Sequence, residues 1–237
     1  MSLSADETRR YARHLVLKDI GGAGQQKLKA ARVAVIGAGG LGSPVIAYLA
    51  AAGIGTIGVV DNDHVSISNL QRQIVHRTED VGVGKAANAG RFVAAMNPYV
   101  SVVPHEARLT VDNARTLLDG YELVIDGTDN FDTRRVVAEA CEALSLPLVS
   151  GAVSMWDGQV TMFLPGGRRF ADLYPVTPDA ADVPSCEAVG VLGAVTGVIG
   201  TLMAMEAIKR ITGAGDVLAG RLLLYDGRAA RFTELEY

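Results

Sequence analysis

The apolar residues of this chain follow two alternating patterns, and the alternation predicts strands that are each followed by a helix. The continuous apolar run of Arg32–Gly37 is typical of a buried parallel strand. Gly40–Ala52 is predicted to be a helix and Thr56–Asp61 a second strand, which together make a βαβ unit. The same pattern continues through predicted helices at 85–96 and 132–144 and predicted strands at 101–103, 123–126 and 148–151. Such alternation predicts an α/β, Rossmann-like fold with a doubly wound, mostly parallel sheet.

The pattern changes after Gly151, where strands no longer alternate with helices. Gln159–Leu164 and Leu222–Tyr225 are predicted to be strands, and Arg231–Glu236 is predicted to pair with the second of these across a turn at Asp226-Gly227. We therefore expect antiparallel strands to be added to the sheet in the C-terminal part. Residues 165–187 contain four prolines and are predicted to form a long loop.

Three other segments are predicted to be helical. Residues 5–17 form an amphipathic pattern with Tyr11, Leu15 and Val16 on one side, and residues 25–30 fit a short helix. Residues 188–205 contain no charge, and about 18 such residues is the lower limit for a membrane span. This stretch contains four glycines, so we expect instead a buried helix packed closely on the sheet.

We expect one domain over residues 1–237. It consists of an N-terminal helical segment (1–31), a nucleotide-binding part (32–151) and a carrier-binding C-terminal part (152–237). A chain of 237 residues with 49% hydrophobic and 20% charged residues is long and apolar enough to bury one substantial core.

The net charge of −4, without a long basic run, argues against a nucleic-acid or membrane partner. The two cysteines, Cys141 and Cys186, are too few for a disulfide framework, and we expect a cytoplasmic protein.

A glycine-rich turn between the first predicted strand and its helix predicts a phosphate site. Its glycines are Gly37, Gly39, Gly40 and Gly42. Glycines permit close approach of the backbone to a phosphate, and the helix that follows offers free N–H groups at its positive end. Asp61 ends the next strand, 19 residues beyond Gly42, where a carboxylate can accept hydrogen bonds from ribose hydroxyls. An adenine nucleotide is expected, and an NAD- or FAD-dependent oxidoreductase shares this pattern.

Two cations near the glycine turn favour a nucleotide with more phosphate than NAD. A polar loop with Asp63, Asn69 and Arg72 follows the second strand. Lys85 stands at the start of a predicted helix, where the helix dipole disfavours a cation unless an anion lies nearby.

The Thr128-Asp129-Asn130 stretch follows the strand that ends at Asp126, at the sheet edge where ligands bind. Asp129 could hold Mg²⁺, although either Asp129 or Asn130 could simply cap the next helix. Two cations and one metal-binding carboxylate suit ATP with Mg²⁺ better than a nicotinamide nucleotide.

Ordered motifs along nearly the whole chain carry a family resemblance. They are Arg10-Tyr-Ala-Arg13, Gly37 to Gly42, Asp61 with Asp63, Asn69-Leu-Gln-Arg72-Gln, Gly84-Lys85, Asp126-Gly-Thr-Asp129-Asn130, Val183-Pro-Ser-Cys186, Ala188-Val-Gly-Val-Leu-Gly193 and Ala204-Met-Glu206-Ala-Ile-Lys209. With these motifs the chain resembles the ThiF/MoeB/HesA adenylyltransferases, which are bacterial relatives of the ubiquitin-activating enzymes.

The resemblance implies roles for individual residues. Arg13, Arg72, Lys85 and Asp129 would act in catalysis, with Arg13 reaching into the nucleotide site of a partner subunit in a homodimer. Asp129 would position Mg²⁺. Contacts to ATP would fall on Gly37, Gly39, Gly40, Gly42, Asp61, Asp63, Asn69, Arg72, Lys85, Asp129, Asn130 and Arg134. Cys186 matches a cysteine that forms a covalent link to the carrier in some relatives and is dispensable in others.

The implied reaction is attack by the C-terminal Gly-Gly carboxylate of a ubiquitin-like sulfur carrier on the α-phosphate of ATP, with release of pyrophosphate. The carrier would serve molybdopterin or thiamin synthesis. Three alternatives remain open. The same ATP chemistry could act on a tRNA base or a peptide, the chain could be an NAD-dependent oxidoreductase, or it could be a scaffold that binds a carrier without catalysis.

One departure from the family pattern concerns zinc. Most close relatives hold a zinc ion with two Cys-x-x-Cys pairs, one of which would lie just before Leu173-Tyr-Pro175. Arg168-Arg-Phe-Ala-Asp172 occupies that stretch here, and the second pair would lie beyond Glu236. Because two cysteines cannot make a four-thiolate site, we expect no zinc. The loop would then be held by packing, or the chain would be a specialised copy with weakened activity.

Overall fold

A computed structural model describes residues 2–176 and 189–237 and shows one eight-stranded sheet with helices around it. The strands are β1 (Arg32–Ile36), β2 (Thr56–Val60), β3 (Ser101–His105), β4 (Leu123–Asp126), β5 (Leu148–Ser154), β6 (Asp157–Phe163), β7 (Arg221–Asp226) and β8 (Arg231–Glu236). The helices are α1 (Ala5–Arg10), α2 (Ala12–Leu15), α3 (Gly21–Ala30), α4 (Gly42–Ala52), α5 (Lys85–Met96), α6 (Ala114–Leu118), α7 (Phe131–Leu144), α8 (Phe170–Leu173) and α9 (Gly193–Thr212).

The strand order is β3-β2-β1-β4-β5-β6-β7-β8, and it confirms the predicted fold class. The five strands from β3 to β5 are parallel, while β6, β7 and β8 are antiparallel to their neighbours. The chain leaves β1 toward β2 on one side and returns to β4 on the other. The carboxyl ends of β1 and β4 therefore border a crevice, which is the usual ligand site in such sheets.

The predicted antiparallel pairing of the last two strands is confirmed, with a longer turn than the sequence indicated. Asp226 pairs with Arg231, so four residues connect β7 to β8. The Asp226 carboxylate accepts hydrogen bonds from the backbone N–H groups of Arg228 (2.9 Å) and Ala229 (3.0 Å), which stabilises this turn.

The N-terminal helix differs from the prediction. The single helix expected over 5–17 is divided into α1 and α2, and α3 begins at Gly21, four residues before the predicted start. The backbone leaves helical geometry at Tyr11, whose ring is buried and whose hydroxyl accepts a hydrogen bond from Asn97 Nδ2 (2.9 Å). Val16, expected on the buried side, is 74% exposed. A distant hydrogen-bond partner thus overrides the local periodicity.

The uncharged stretch before Glu206 forms most of α9, which is buried as predicted and extends to Thr212. A side chain at Gly200 would place its Cβ 2.6 Å from the carbonyl oxygen of Leu41, so α9 and α4 are in backbone contact there. No helix in the two described ranges is long and apolar enough to cross a membrane.

The predicted loop 165–187 contains the short helix α8. Its Phe170 lies in an aromatic cluster, with ring centroids 5.5 Å from Phe131 and 4.8 Å from Tyr174.

Cys186 lies outside the described residues. Cys141 is buried in α7, and burial raises the pKa of its thiol, as expected of a core cysteine.

Two glycines one turn apart in α9 should respond oppositely to alanine. We expect Gly200→Ala to lower the free energy of unfolding by about 1–3 kcal/mol, because the new methyl group meets α4. Gly197 has no atom within 4 Å of an added Cβ, so Gly197→Ala should raise it by about 0.5–1 kcal/mol through helix propensity. Urea denaturation of both variants measures the difference, and destabilisation by Gly197→Ala would contradict this packing.

Candidate functional site

A cavity of about 300 Å³ lies at the carboxyl ends of β1, β2 and β4, where the strand order reverses. Most of the residues expected to bind a nucleotide line it. They are Gly37, Gly39, Gly40, Asp61, Asp63, Arg72, Lys85, Asp129, Asn130 and Arg134. Three others, Arg13, Gly42 and Asn69, do not line this cavity.

The glycine turn is shaped by contacts within the backbone. Gly37 has φ of +90°, a conformation that glycine adopts without strain. A Cβ on Gly42 would lie 1.9 Å from the carbonyl oxygen of Gly37, so only glycine lets α4 begin this close to the turn. Gly42 therefore has a packing role in this structure, whereas the three glycines before it line the cavity.

Asp61 ties the glycine turn to the end of β2. One carboxylate oxygen accepts a hydrogen bond from the backbone N–H of Ala38 (2.7 Å), and the other accepts one from the N–H of Asp63 (2.8 Å). Each carboxylate oxygen has a second lone pair, so Asp61 keeps acceptor capacity for ribose hydroxyls.

Lys85 is a buried cation with a partner in the protein. Its Nζ lies 2.9 Å from Oδ2 of Asp63, and its side chain is only 8% exposed. A cation at this helix start needs an anion nearby, and the protein itself supplies one in Asp63. The side chain of Asp63 is 63% exposed, so this ion pair joins a buried cation to a carboxylate that faces solvent. A phosphate that enters the cavity could share this cation.

Arg72 and Asn69 belong to the polar loop after β2. Arg72 donates a hydrogen bond from Nη1 to the carbonyl oxygen of Ser68 (3.0 Å) and lines the cavity. The Oδ1 of Asn69 accepts one from the N–H of Ser66 (3.1 Å) and so caps a 3-10 turn at Ile67–Asn69. Its contact with ATP stays a prediction.

The turn after β4 separates a capping residue from a free carboxylate. Asn130 Oδ1 accepts a hydrogen bond from the N–H of Thr133 (2.9 Å), so Asn130 is the N-cap of α7. Asp129 is exposed and its Oδ1 lies 3.4 Å from Asn130 Nδ2. Capping therefore leaves Asp129 available for another role.

The donor set at this turn fits Mg²⁺. This ion prefers hard oxygen ligands and is commonly held by one or two carboxylates together with the phosphates of its substrate. Asp129 supplies one such carboxylate at the cavity wall. Within residues 2–176 and 189–237, no group of three or more His, Cys, Asp or Glu side chains could hold a metal by itself.

Arg134 is one of four cations on the wall of the cavity, together with Arg72, Lys85 and Arg108. It donates a hydrogen bond from Nη2 to the carbonyl oxygen of Thr128 (2.8 Å), while its Nε is buried without a partner in the described structure. Together with Arg72 and Lys85, Arg134 gives the cavity a positive side that suits an anionic ligand.

Two buried residues near the glycine turn were not predicted. Gln73 lines the cavity, and its buried Oε1 has no hydrogen-bond partner among the described residues. His76 lies within hydrogen-bond distance of the Ala38 carbonyl oxygen through Nε2 (3.1 Å) and of Asn88 Nδ2 through Nδ1 (2.8 Å). The first is part of a polar motif that the sequence displayed, whereas nothing local to the second indicated its contact with the turn.

His76 is a neutral support of the glycine turn. Since a carbonyl oxygen can only accept, Nε2 carries the proton and Nδ1 accepts from Asn88. Burial lowers the pKa of His76 below the ordinary value of 6.5. Protonation would leave the Nε2 donor to Ala38 and remove the acceptor at Nδ1, so the hydrogen bond from Asn88 depends on the neutral ring.

The lowered pKa of His76 predicts a pH dependence of stability. Below pH 6.5 the unfolded chain binds a proton at this residue more readily than the folded protein, so the free energy of unfolding falls as the pH falls. His76→Gln can keep a donor for Ala38 and does not titrate, so it should lose less stability between about pH 7.5 and about pH 5.5 than the wild type. Urea denaturation at both pH values tests this. The exposed His64→Gln is the control, and equal losses in the wild type and His76→Gln would contradict the prediction.

Comparison with known proteins places the chain in a family. The ThiF family matches residues 11–237. The probable adenylyltransferase/sulfurtransferase MoeZ of Mycobacterium tuberculosis is 49% identical over 230 residues, which cover 95% of this chain and 59% of that relative. The sulfur carrier protein adenylyltransferase of Thermus thermophilus is 47% identical over 241 residues, which cover 99% of this chain and 89% of the relative.

The fold comparison agrees. The crystal structure of E. coli MccB matches with a TM-score of 0.86 at 20% identity, covering 99% of this chain and 71% of that one, a likeness that concerns the fold alone. The family match over residues 11–237 includes the glycine turn, the polar loop and the turn after β4. The chain is a member of the ThiF family.

Proposed function

We propose that this chain is an adenylyltransferase that uses ATP to activate the C-terminal Gly-Gly carboxylate of a ubiquitin-like sulfur carrier, releasing pyrophosphate. The observation that carries the proposal is the arrangement of four cations (Arg72, Lys85, Arg108 and Arg134) and the carboxylate of Asp129 around one cavity. Relatives of this chain are named as adenylyltransferases, including one named for sulfur carrier proteins. Molybdopterin, thiamin or another pathway would follow from which carrier is accepted.

The proposed mechanism depends on charge neutralisation and positioning. The attacking carboxylate is already ionised at neutral pH, so no general base is required. Two anions must approach each other, and Arg72, Lys85 and Arg134 would lower the repulsion between them. Asp61 would hold the ribose, and Asp129 would hold Mg²⁺. When bound, Mg²⁺ would neutralise charge on the phosphate oxygens.

An exposed apolar patch beside the cavity supports docking of a carrier on the C-terminal part of the chain. Met155 is 46% exposed, Trp156 41% and Leu192 40%. The backbone N–H of Leu192 donates to the carbonyl oxygen of Met155 (3.0 Å), so the patch is one surface. Val153 and Val191, which line the cavity, are close to it in sequence. A carrier seated here would have its C-terminal tail near the proposed reaction centre.

The proposal includes a homodimer with shared sites. Arg13 is exposed on α2 and does not line the cavity of its own chain. The family resemblance assigns it to the nucleotide site of a partner, where it would add a further cation. Exposure leaves its guanidinium accessible to such a partner.

The proposal does not require zinc. The stretch that replaces the first expected cysteine pair is anchored by the aromatic packing of Phe170 against Phe131, Phe163 and Tyr174. Tyr237 also packs on Phe163, with ring centroids 6.2 Å apart. Such packing can hold the loop without a metal ion.

ATP–pyrophosphate exchange tests the activity directly. With Mg²⁺ and a carrier ending in Gly-Gly, we expect exchange that depends on the carrier. Asp129→Ala should lower its rate on the order of 100-fold, because it removes the carboxylate proposed to hold Mg²⁺. Asp132→Ala, an exposed acid on the first turn of α7, should stay within about twofold of the wild type and serves as the matched control.

Tight ATP binding without exchange, for every Gly-Gly carrier tried, would contradict the sulfur-carrier reaction. Exchange supported instead by a peptide or a tRNA would keep the ATP chemistry and change the acceptor. Equal rates for Asp129→Ala and Asp132→Ala would remove the assigned role of Asp129.

Subunit mixing tests the shared site. Arg13→Ala and Asp129→Ala should each be nearly inactive alone. A mixed dimer has one site with both residues intact, so random mixing should restore roughly a quarter of the wild-type exchange rate. Failure of the mixture to recover activity, with mixed dimers present by mass spectrometry, would contradict a contribution of Arg13 across the dimer.

A further inference from the structure

Every backbone and side-chain polar group of Thr128 is engaged by a fixed partner. Its backbone N–H (3.0 Å) and its Oγ1 hydroxyl (2.7 Å) both donate to Oδ1 of Asp126. Its carbonyl oxygen accepts a hydrogen bond from Nη2 of Arg134 (2.8 Å). Thr128 is therefore held by hydrogen bonds to Asp126, the last residue of β4, and from Arg134 of α7.

Asp126 is fully buried, and burial of an ionised carboxylate costs free energy of desolvation. It is 0% exposed at the end of a strand whose other residues are apolar. Burial raises the pKa of its carboxyl group, while Arg134 and the hydrogen bonds from Thr128 act in the opposite direction. Its second oxygen has only a weak contact, to Ser150 Oγ at 3.4 Å. Burying a carboxylate costs free energy unless it is paired and hydrogen-bonded, and the hydrogen bonds to Asp126 come mainly from Thr128.

Asp129 follows Thr128 in the sequence. In the described structure its side chain has a single polar contact, to Asn130 Nδ2 at 3.4 Å. Its own side chain thus does little to fix its position. Thr128 before it is held by Asp126 and Arg134, and Asn130 after it is fixed as the N-cap of α7. The position of the free carboxylate is set by its two neighbours.

We propose that Asp126 and Thr128 are positioning residues, which place Asp129 so that it can hold Mg²⁺ against the phosphates of a bound nucleotide. This inference rests on the proposed function for the identity of the ligand. It assigns to the hydrogen bond from Thr128 Oγ1 to Asp126 a role in metal affinity in addition to turn stability. Partners that orient a metal ligand commonly contribute about 10–100-fold in affinity or activity.

Four variants separate positioning from folding. Thr128→Val keeps the shape of the side chain and loses the hydroxyl, whereas Thr128→Ser keeps the hydroxyl and loses a methyl group. Asp126→Asn keeps the shape and removes the charge. Ser150→Ala removes only the weak contact on the other oxygen and is the control. Thermal denaturation of the full-length chain reports the stability of each variant.

The decisive measurement is the dissociation constant of ATP by calorimetry, in EDTA and over a range of Mg²⁺ concentrations. We expect the wild type to bind ATP more tightly as Mg²⁺ is added. Thr128→Val and Asp126→Asn should need about tenfold more Mg²⁺ for half of this effect, with the affinity in EDTA within about twofold of the wild type. Thr128→Ser and Ser150→Ala should match the wild type.

Two results would overturn the inference. One is a Thr128→Val variant whose Mg²⁺ dependence equals that of the wild type, whatever its thermal stability. The other is an equal loss of ATP affinity with and without Mg²⁺, which would assign these residues to the fold alone. If Asp126→Asn does not fold, the two threonine variants still decide the question. Wild-type protein that binds ATP with Mg²⁺ but exchanges no pyrophosphate would refute the proposed function and leave this test valid.

Discussion

The cavity at the carboxyl ends of β1, β2 and β4 depends on one close contact, the approach of the first turn of α4 to the carbonyl group of Gly37. Any side chain at Gly42 would overlap that oxygen, with a Cβ only 1.9 Å away. This contact sets where the free N–H groups of α4 point. The parallel strands then bring β2 and β4 to the same edge, so that Asp61 and Asp129 reach one cavity from opposite sides of β1.

The polar groups around this contact are fixed before any ligand arrives. Asp61 holds the backbone of the glycine turn from one side, and His76 holds it from the other through the same residue, Ala38. Lys85 is oriented by Asp63, and Arg134 by the Thr128 carbonyl group. A site with dipoles and charges already oriented loses less free energy to reorganisation when a triphosphate binds. The protein thus uses its own carboxylates and carbonyl groups to hold the cations that a nucleotide would need.

Sequence reasoning failed where a distant partner decided the local structure. The N-terminal helix was expected to continue through Tyr11, and it breaks there because the ring is buried and its hydroxyl bonds to Asn97, 86 residues away. His76 showed no local signal, since its contact with Ala38 crosses 38 residues. The side chain of Asn69 caps a short turn through the N–H of Ser66, a contact that the sequence did not indicate, and its contact with ATP stays a prediction.

The sequence by itself determined the alternation of parallel strands and helices up to Gly151, the change to antiparallel strands after it and the place of the glycine-rich turn. These features depend on periodicity and on residue types within short windows, which a single chain displays directly. Only the tertiary structure decided which polar groups are already satisfied within the protein. Asn130 caps a helix while its neighbour Asp129 stays free, and Lys85 pairs with Asp63 across 22 residues. Hydrogen bonds and ion pairs are set by distances of a few ångströms in space, and separation along the chain does not reveal them.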